Sequence, residues 1–145
     1  MPYDGGMGGS VGTLRVLIVD DDEEFRRSLS VALGDSNHVA AVATPAEAVW
    51  ALSHDTFDVL ICDLRLATAT SGDDVLEAAR TEWPRMVRIL VTGHAAHVHD
   101  APHPAHAVLF KPLDLAALRD LLSWLPAVAA SEVKNDNGHG GHQPA

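Results

Sequence analysis

Five short apolar runs, each followed by a segment of helical period or by turn residues, constrain this chain more than any other feature. Leu14 to Val19 (LRVLIV) is nearly unbroken and ends in acids, and its length and branched content favour a buried strand. From Glu23 onward Phe25, Leu29, Ala32 and Leu33 recur at helical spacing, until Gly34-Asp35-Ser36-Asn37 punctuates the pattern. His38 to Ala43 reads as a weaker second strand. Thr44-Pro45-Ala46-Glu47 opens a second helix: Thr44 can cap it, Glu47 can return a bond to the cap, and Pro45 sits where its missing N–H costs nothing. Ala48, Val49 and Leu52 give that helix an apolar face. Phe57 to Cys62 is a third strand. A third helix covers about Asp73 to Trp83, with Val75, Leu76 and Ala79 inward and Pro84 as its stop. Val87 to Val91 and Ala107 to Phe110 are the fourth and fifth strands, and Leu115, Leu118, Leu122 and Leu125 mark a last helix capped by Asp114.

Strands alternating with helices imply a parallel sheet with helices on both faces. The five-stranded, doubly wound version of flavodoxin-like type has the order 2-1-3-4-5. The chain reverses its winding between the first and third strands, and ligands of such sheets bind past the carboxyl ends of the strands at that point. The folded unit is expected over residues 14–126. Residues 1–13, rich in glycine, and 127–145, which drift into Asn135-Asp136-Asn137-Gly138-His139-Gly140-Gly141-His142, are expected as flexible tails.

Twenty acidic residues against ten basic ones give a formal net charge of −10. Direct nucleic-acid binding normally needs a basic face, and none is visible. The apolar runs are too short to span a bilayer, and the N-terminus lacks a basic start followed by an apolar stretch. The lone Cys62 excludes an intrachain disulfide and fits a reducing compartment, so a cytoplasmic location is expected.

The residues at the strand ends then carry the chemistry. The first strand ends in Asp20-Asp21-Asp22, the third in Asp63 and the fourth in Thr92, and Lys111-Pro112 follows the fifth. Carboxylates gathered on one rim repel one another. A hard divalent cation, Mg²⁺ or Mn²⁺, relieves this with oxygen ligands and retained waters. A carboxylate beside such a cation can attack phosphorus to give an acyl phosphate. The transferring group then needs charge and donors around its oxygens. Lys111 offers a compact charge, Thr92 a hydroxyl, and Gly93 leaves space.

The segments VLIVDDDEEFRRSL, DVLICDL, ILVTGHA and LFKPLD resemble the four signature segments of response-regulator receiver domains, in the family's order, over about Leu14 to Leu125. The resemblance implies that Asp63 is the phosphoacceptor, Asp21 a direct Mg²⁺ ligand and Asp20 an acid that reaches the metal through water. The backbone carbonyl of Arg65 would complete the metal site. Thr92 would be the switch hydroxyl, Lys111 the phosphate-binding lysine, and the bond to Pro112 cis. The implied function is a stand-alone receiver in a two-component system or phosphorelay. It would take its phosphoryl group from a histidine kinase or histidine phosphotransferase and read out through a protein target.

Some positions depart from the family pattern. Val108 stands where an aromatic switch residue is common, an aliphatic choice that tilts the reading towards a phosphorelay, and Phe110 is expected on the opposite strand face. The loop after Asp63 has Ala67 in place of the usual proline. The segment from Thr92 to Lys111 is short and carries Pro102 and Pro104, so the fourth helix of the family is expected to be short or irregular. His94, His97, His99, His103 and His106 admit a metal-binding or pH-sensing reading, but without cysteines and with two prolines they are taken as an irregular loop. His94 and Arg65 are candidates to tune the phosphoryl lifetime. Asp22 reads as a helix-start acid, Cys62 as a small core group, and Trp50, Trp83 and Trp124 as packing residues. An aspartyl-phosphate hydrolase like the haloacid dehalogenases would need an acid two residues past Asp63, where Arg65 stands. A phosphorylation-independent interaction module of the same fold is the remaining alternative.

Overall fold

The computed structural model describes residues 13–66, 70–93 and 104–140, with side chains as far as Ala129. Its elements run β1 (Arg15–Val19), α1 (Glu23–Gly34), β2 (His38–Val42), α2 (Pro45–His54), β3 (Val59–Asp63), α3 (Gly72–Glu82), β4 (Val87–Thr92), β5 (Ala107–Phe110) and α4 (Leu115–Gly140). All neighbouring strands pair in parallel, and the order is β2-β1-β3-β4-β5, as the strand–helix alternation predicts. Among the described residues no helix lies between β4 and β5, and none is long and apolar enough to cross a membrane.

Strand alternation divides the core into two clusters, one on each face of the sheet. Val16, Ile18, Val59, Ile61, Val87, Ile89 and Val91 point to the face covered by Leu29 and Leu33 of α1 and Leu118, Leu122, Leu125 and Ala129 of α4. Leu17, Val19, Leu60, Cys62 and Leu90 point to the face covered by α2 and α3 through Ala48, Leu52, Val75, Leu76 and Ala79. The central strands β1, β3 and β4 are almost wholly buried. The edge strands β2 and β5 are only half-buried, which explains the weaker sequence signal of His38 to Ala43.

Local chemistry sets the helix starts. The Asp22 carboxylate accepts from the amides of Glu24 and Phe25 and caps α1. Thr44 and Glu47 form the expected capping box on α2. Ser71 and Asp74 form a second one on α3, a signal present in the sequence as Ser-x-x-Asp. Asp114 caps α4 by accepting from Ala116 and Ala117.

Several expectations need correction. The boundary drawn after Pro126 does not end the last helix, which runs on to Gly140 with Pro126 inside it. Ala129, fully buried, extends the Leu118-Leu122-Leu125 stripe by one more turn, so core packing carries the helix past the hydrogen bond that Pro126 cannot make. Trp50 and Val49 are not core residues: they are 64% and 45% exposed. Pro45, Ala48 and Leu52 form the buried stripe of α2, and positions 49 and 50 rotate away from it. Trp50 instead stacks on His54, with ring centroids 4.1 Å apart. Trp124 lies off the buried stripe of α4 and is likewise exposed, whereas Trp83 does pack against the core. Phe110 and Val108 stand two residues apart and so share one face of β5; Val108 packs inward, and Phe110, at the strand end, is exposed.

Candidate functional site

Parallel pairing sets the ends of β1, β3 and β4 side by side, and the acids follow from that register. Val19 pairs with Cys62, so Asp20 and Asp63 leave adjacent strands at the same level. One oxygen from each of Asp20, Asp21 and Asp63 lies within 4.8 Å of the other two, the one such group of potential metal ligands among the described residues. Asp20 and Asp63 are 1% and 8% exposed, while Asp21 faces solvent.

Asp20 is held from several directions. Its amide donates to the Val42 carbonyl, its Oδ1 accepts from the Asp22 amide at 2.9 Å, and its carbonyl accepts from Arg26 Nη1 at 2.8 Å. Lys111 closes the site. Its Nζ donates to Asp20 Oδ2 at 2.9 Å and stands 3.5 Å from Asp63 Oδ2. The Lys111 amide donates to the Thr92 carbonyl at 2.9 Å, which ties the end of β5 to the end of β4, and the Lys111–Pro112 bond is cis. Thr92 is fully buried at the end of β4. The Arg65 amide lies 3.4 Å from Asp63 Oδ1, so that residue's backbone borders the site while its side chain is exposed. A Cβ on Gly93 would meet nothing within 4 Å, so there is room beside Thr92.

Three carboxylates against one ammonium leave the site short of positive charge. Burial, and after it the charge of Asp20, holds the Asp63 carboxyl above the ordinary carboxylate range, although Lys111 and the Arg65 amide pull it down. Burial alone would lower Lys111. The hydrogen bond and charge of Asp20, then the charge of Asp63, outweigh it and hold the ammonium above the ordinary lysine value. Next door, burial and the charges of Asp63, Asp20 and Asp73 push the Cys62 thiol up, so it is a core group and not a nucleophile, as expected.

The donor set suits a hard cation: carboxylate oxygens gathered within 4.8 Å of one another are the ligand type that Mg²⁺ takes. The arrangement is therefore compatible with a divalent cation beside Asp63.

The sequence model of the response regulator receiver domain matches residues 16–123. The chain belongs to the response regulator receiver domain family. A receiver domain is a phosphoacceptor of two-component signalling, and the complete acidic site makes a phosphorylation-independent role the less favoured one. The receiver domain is 33% identical to the alginate biosynthesis transcriptional regulatory protein AlgB of Pseudomonas aeruginosa over 90% of this chain and 32% of AlgB. It thus spans about a third of the length of that relative. A CheY-like response regulator receiver domain from Methanospirillum hungatei superposes with a TM-score of 0.72 at 25% identity, over 83% of this chain and 99% of that one. The response regulator TrrA of Thermotoga maritima, solved in complex with Mg²⁺–BeF, shares the fold with a TM-score of 0.68 at 22% identity, over 74% of this chain and 95% of that one.

Of the residues singled out in the sequence, Asp20, Asp21, Asp63 and Lys111 come together, with Thr92 and the Arg65 backbone at the border. His94, His97, His99 and His103 lie outside the described residues. His106 does not join the acids: its Nδ1 accepts from the Arg88 amide at 3.0 Å, where β4 meets the start of β5. Two residues that the sequence reading missed bear on the site. The Phe25 ring centroid is 4.4 Å from Lys111 Nζ, and Gly72 lies against the Asp63 backbone. Phe25 looked like ordinary core at helical spacing. Gly72 carries no signal until the packing of α3 on β3 is known.

Proposed function

We propose that this receiver domain takes a phosphoryl group from a phosphohistidine, on a histidine kinase or histidine phosphotransferase, onto Asp63. The observation that carries the reading is Lys111 Nζ bridging Asp20 and Asp63 across the strand ends. Asp20, Asp21, Asp63 and the Arg65 carbonyl would hold Mg²⁺ (or Mn²⁺). When bound, the cation screens the carboxylates and offsets the charge gathering on the phosphoryl oxygens. An Asp63 oxygen attacks phosphorus, the P–N bond breaks, and its electron pair stays on the imidazole nitrogen. Lys111 contributes its ammonium and Thr92 its hydroxyl to the phosphoryl oxygens, and their rearrangement biases an inactive–active equilibrium. Arg65, exposed two residues past Asp63, and His94, two past Thr92, tune access of water to the acyl phosphate.

The chain acts on itself and not on an external substrate, since no acid stands two residues after Asp63 to turn over a phosphoenzyme. Its readout is a downstream protein partner in the cytoplasm. With a formal charge of −10 it makes no direct contact with nucleic acid and does not enter the membrane. The test is labelling by acetyl phosphate or by a cognate kinase. Labelling should require a divalent cation and vanish in Asp63→Asn. Labelling that survives that substitution, or that persists in excess chelator, refutes the assignment.

A further inference from the structure

We infer that Phe25 is a positioning residue for Lys111, an inference that rests on the phosphoacceptor reading of Asp63. Lys111 follows β5, whereas Asp20 follows β1, and β3 and β4 lie between them. Three strand spacings of roughly 4.8 Å exceed the reach of a lysine, so the turn after β5 must carry Lys111 inward before its four-carbon, freely rotating stem spans the rest. Its tip is held on three sides: by Asp20 Oδ2 at 2.9 Å, by Asp63 Oδ2 at 3.5 Å, and by the face of Phe25 with its centroid at 4.4 Å. A cation this close to an aromatic face is attracted by the ring's negative π surface.

The two carboxylates cannot serve as permanent guides. Asp63 gives up its carboxylate charge when it becomes an acyl phosphate, and Asp20 also belongs to the group suited to a cation. The ring neither titrates nor changes partners. It is also rigidly mounted: the Phe25 amide donates to the Asp22 carboxylate in the first turn of α1, and the side chain packs against the core beneath that helix. Phe25 therefore keeps the ammonium over the strand ends while its ionic partners are redistributed, and the phosphoryl oxygens meet it already in place.

Packing and π attraction can be separated by fluorination, which weakens the negative ring face at nearly constant shape. Full-length chains carrying phenylalanine, 4-fluorophenylalanine or pentafluorophenylalanine at position 25 are compared with Phe25→Tyr and Phe25→Leu. In cation-free protein, NMR should find the Lys111 ε-methylene protons shifted upfield by the ring, and Phe25→Leu should abolish that shift. With acetyl phosphate and Mg²⁺, the phosphorylation rate should fall stepwise with fluorination, by roughly two- to fivefold in all, while Phe25→Tyr retains it. A rate that is flat across the fluorine series in a chain that is labelled on Asp63 overturns the positioning role alone. Unshifted Lys111 protons overturn the contact itself. Failure to label the unsubstituted chain overturns this inference together with the function beneath it.

Discussion

Gly72→Ala is the substitution through which the packing around Asp63 can be tested most sharply. A Cβ built on Gly72 falls 2.0 Å from the Asp63 carbonyl oxygen and 2.8 Å from both the Asp63 carbonyl carbon and Leu64 Cα. Real Cβ contacts essentially never fall below 3.0 Å, so the two backbones must part by at least about 1 Å. All three obstructing atoms are main chain, and no side-chain rotation can relieve the clash. Either the first turn of α3 lifts away, stretching the Gly72 amide bond to the Leu64 carbonyl (2.9 Å) and the Ser71–Asp74 capping box, or the end of β3 moves and takes Asp63 with it. Overpacking of this kind costs about 1–3 kcal/mol, and a weakened hydrogen bond adds about 0.5–1.5 kcal/mol. A loss of roughly 2–4 kcal/mol is expected, a large part of a typical domain's stability.

Urea unfolding of the cation-free chain measures this as a lowered midpoint at unchanged slope. Gly34→Ala is the matched control, because nothing lies within 4 Å of a Cβ there and the backbone is not left-handed. It should be neutral, or stabilising by up to about 1 kcal/mol. Acetyl phosphate labelling should slow in Gly72→Ala and not in Gly34→Ala. If Gly72→Ala unfolds within about 0.5 kcal/mol of the parent chain and is labelled at the parent rate, the close contact between α3 and Asp63 does not exist.

Other outcomes follow from the charges and the core. Because the folded state holds the Asp63 carboxyl above its ordinary range, this group favours folding below its unfolded pKa, and that contribution is lost as pH rises through the folded value. In the absence of divalent cations Asp63→Asn should thus be more stable than the parent near pH 7, with the difference shrinking on acidification, as measured by urea unfolding at each pH. An advantage that grows toward low pH contradicts the burial and repulsion invoked here. Mg²⁺ at a hundredfold excess over its dissociation constant should raise the unfolding free energy by about 2.7 kcal/mol, and Asp21→Asn should require more Mg²⁺ for the same gain. In the core, Leu60→Ala removes a fully buried side chain from a central strand and should cost about 2–5 kcal/mol by chemical denaturation. Trp50→Ala, on the exposed face of α2, should stay within about 0.5 kcal/mol of the parent.

Most of the site was legible because a parallel sheet converts a one-dimensional statement into a spatial one. Once β1 and β3 are neighbours, acids that immediately follow two apolar runs must share a rim, and Asp20, Asp21 and Asp63 need no further information to be brought together. Lys111 was legible for the same reason, at the end of a short strand and before a proline. What escaped the sequence depends on contacts with no local period. Ala48, Val49, Trp50, Ala51 and Leu52 are consecutive and apolar, so the pattern does not say which of them turn inward, and Trp50 was misplaced. The drift into polar and glycine-rich residues after Pro126 suggests a tail, yet Ala129 fits the buried stripe of α4. Gly72 and Phe25 matter only through residues 9 and 86 positions away in the chain, and no composition rule reports such distances.

The same arithmetic that makes the site unfavourable makes it useful. With all four groups ionised, three carboxylates and one ammonium carry two uncompensated negative charges on a rim where two of the acids are almost wholly buried. A fold that avoided this would place a second lysine or an amide at one of the acidic positions and would gain stability by it. It would also lose the deficit of charge that favours a divalent cation, and with it the means of drawing a phosphoryl group to Asp63. The cost is carried by the sheet beneath, where β1, β3 and β4 bury apolar side chains on both faces, each contributing about 1.5–3 kcal/mol. A rim so frustrated on a core so regular lowers its free energy by binding a cation and, under the proposed function, by shifting Lys111 from carboxylate to phosphoryl oxygen. In that proposal the Lys111 amide, bonded to the Thr92 carbonyl, is the backbone link between the lysine and the ends of β4 and β5.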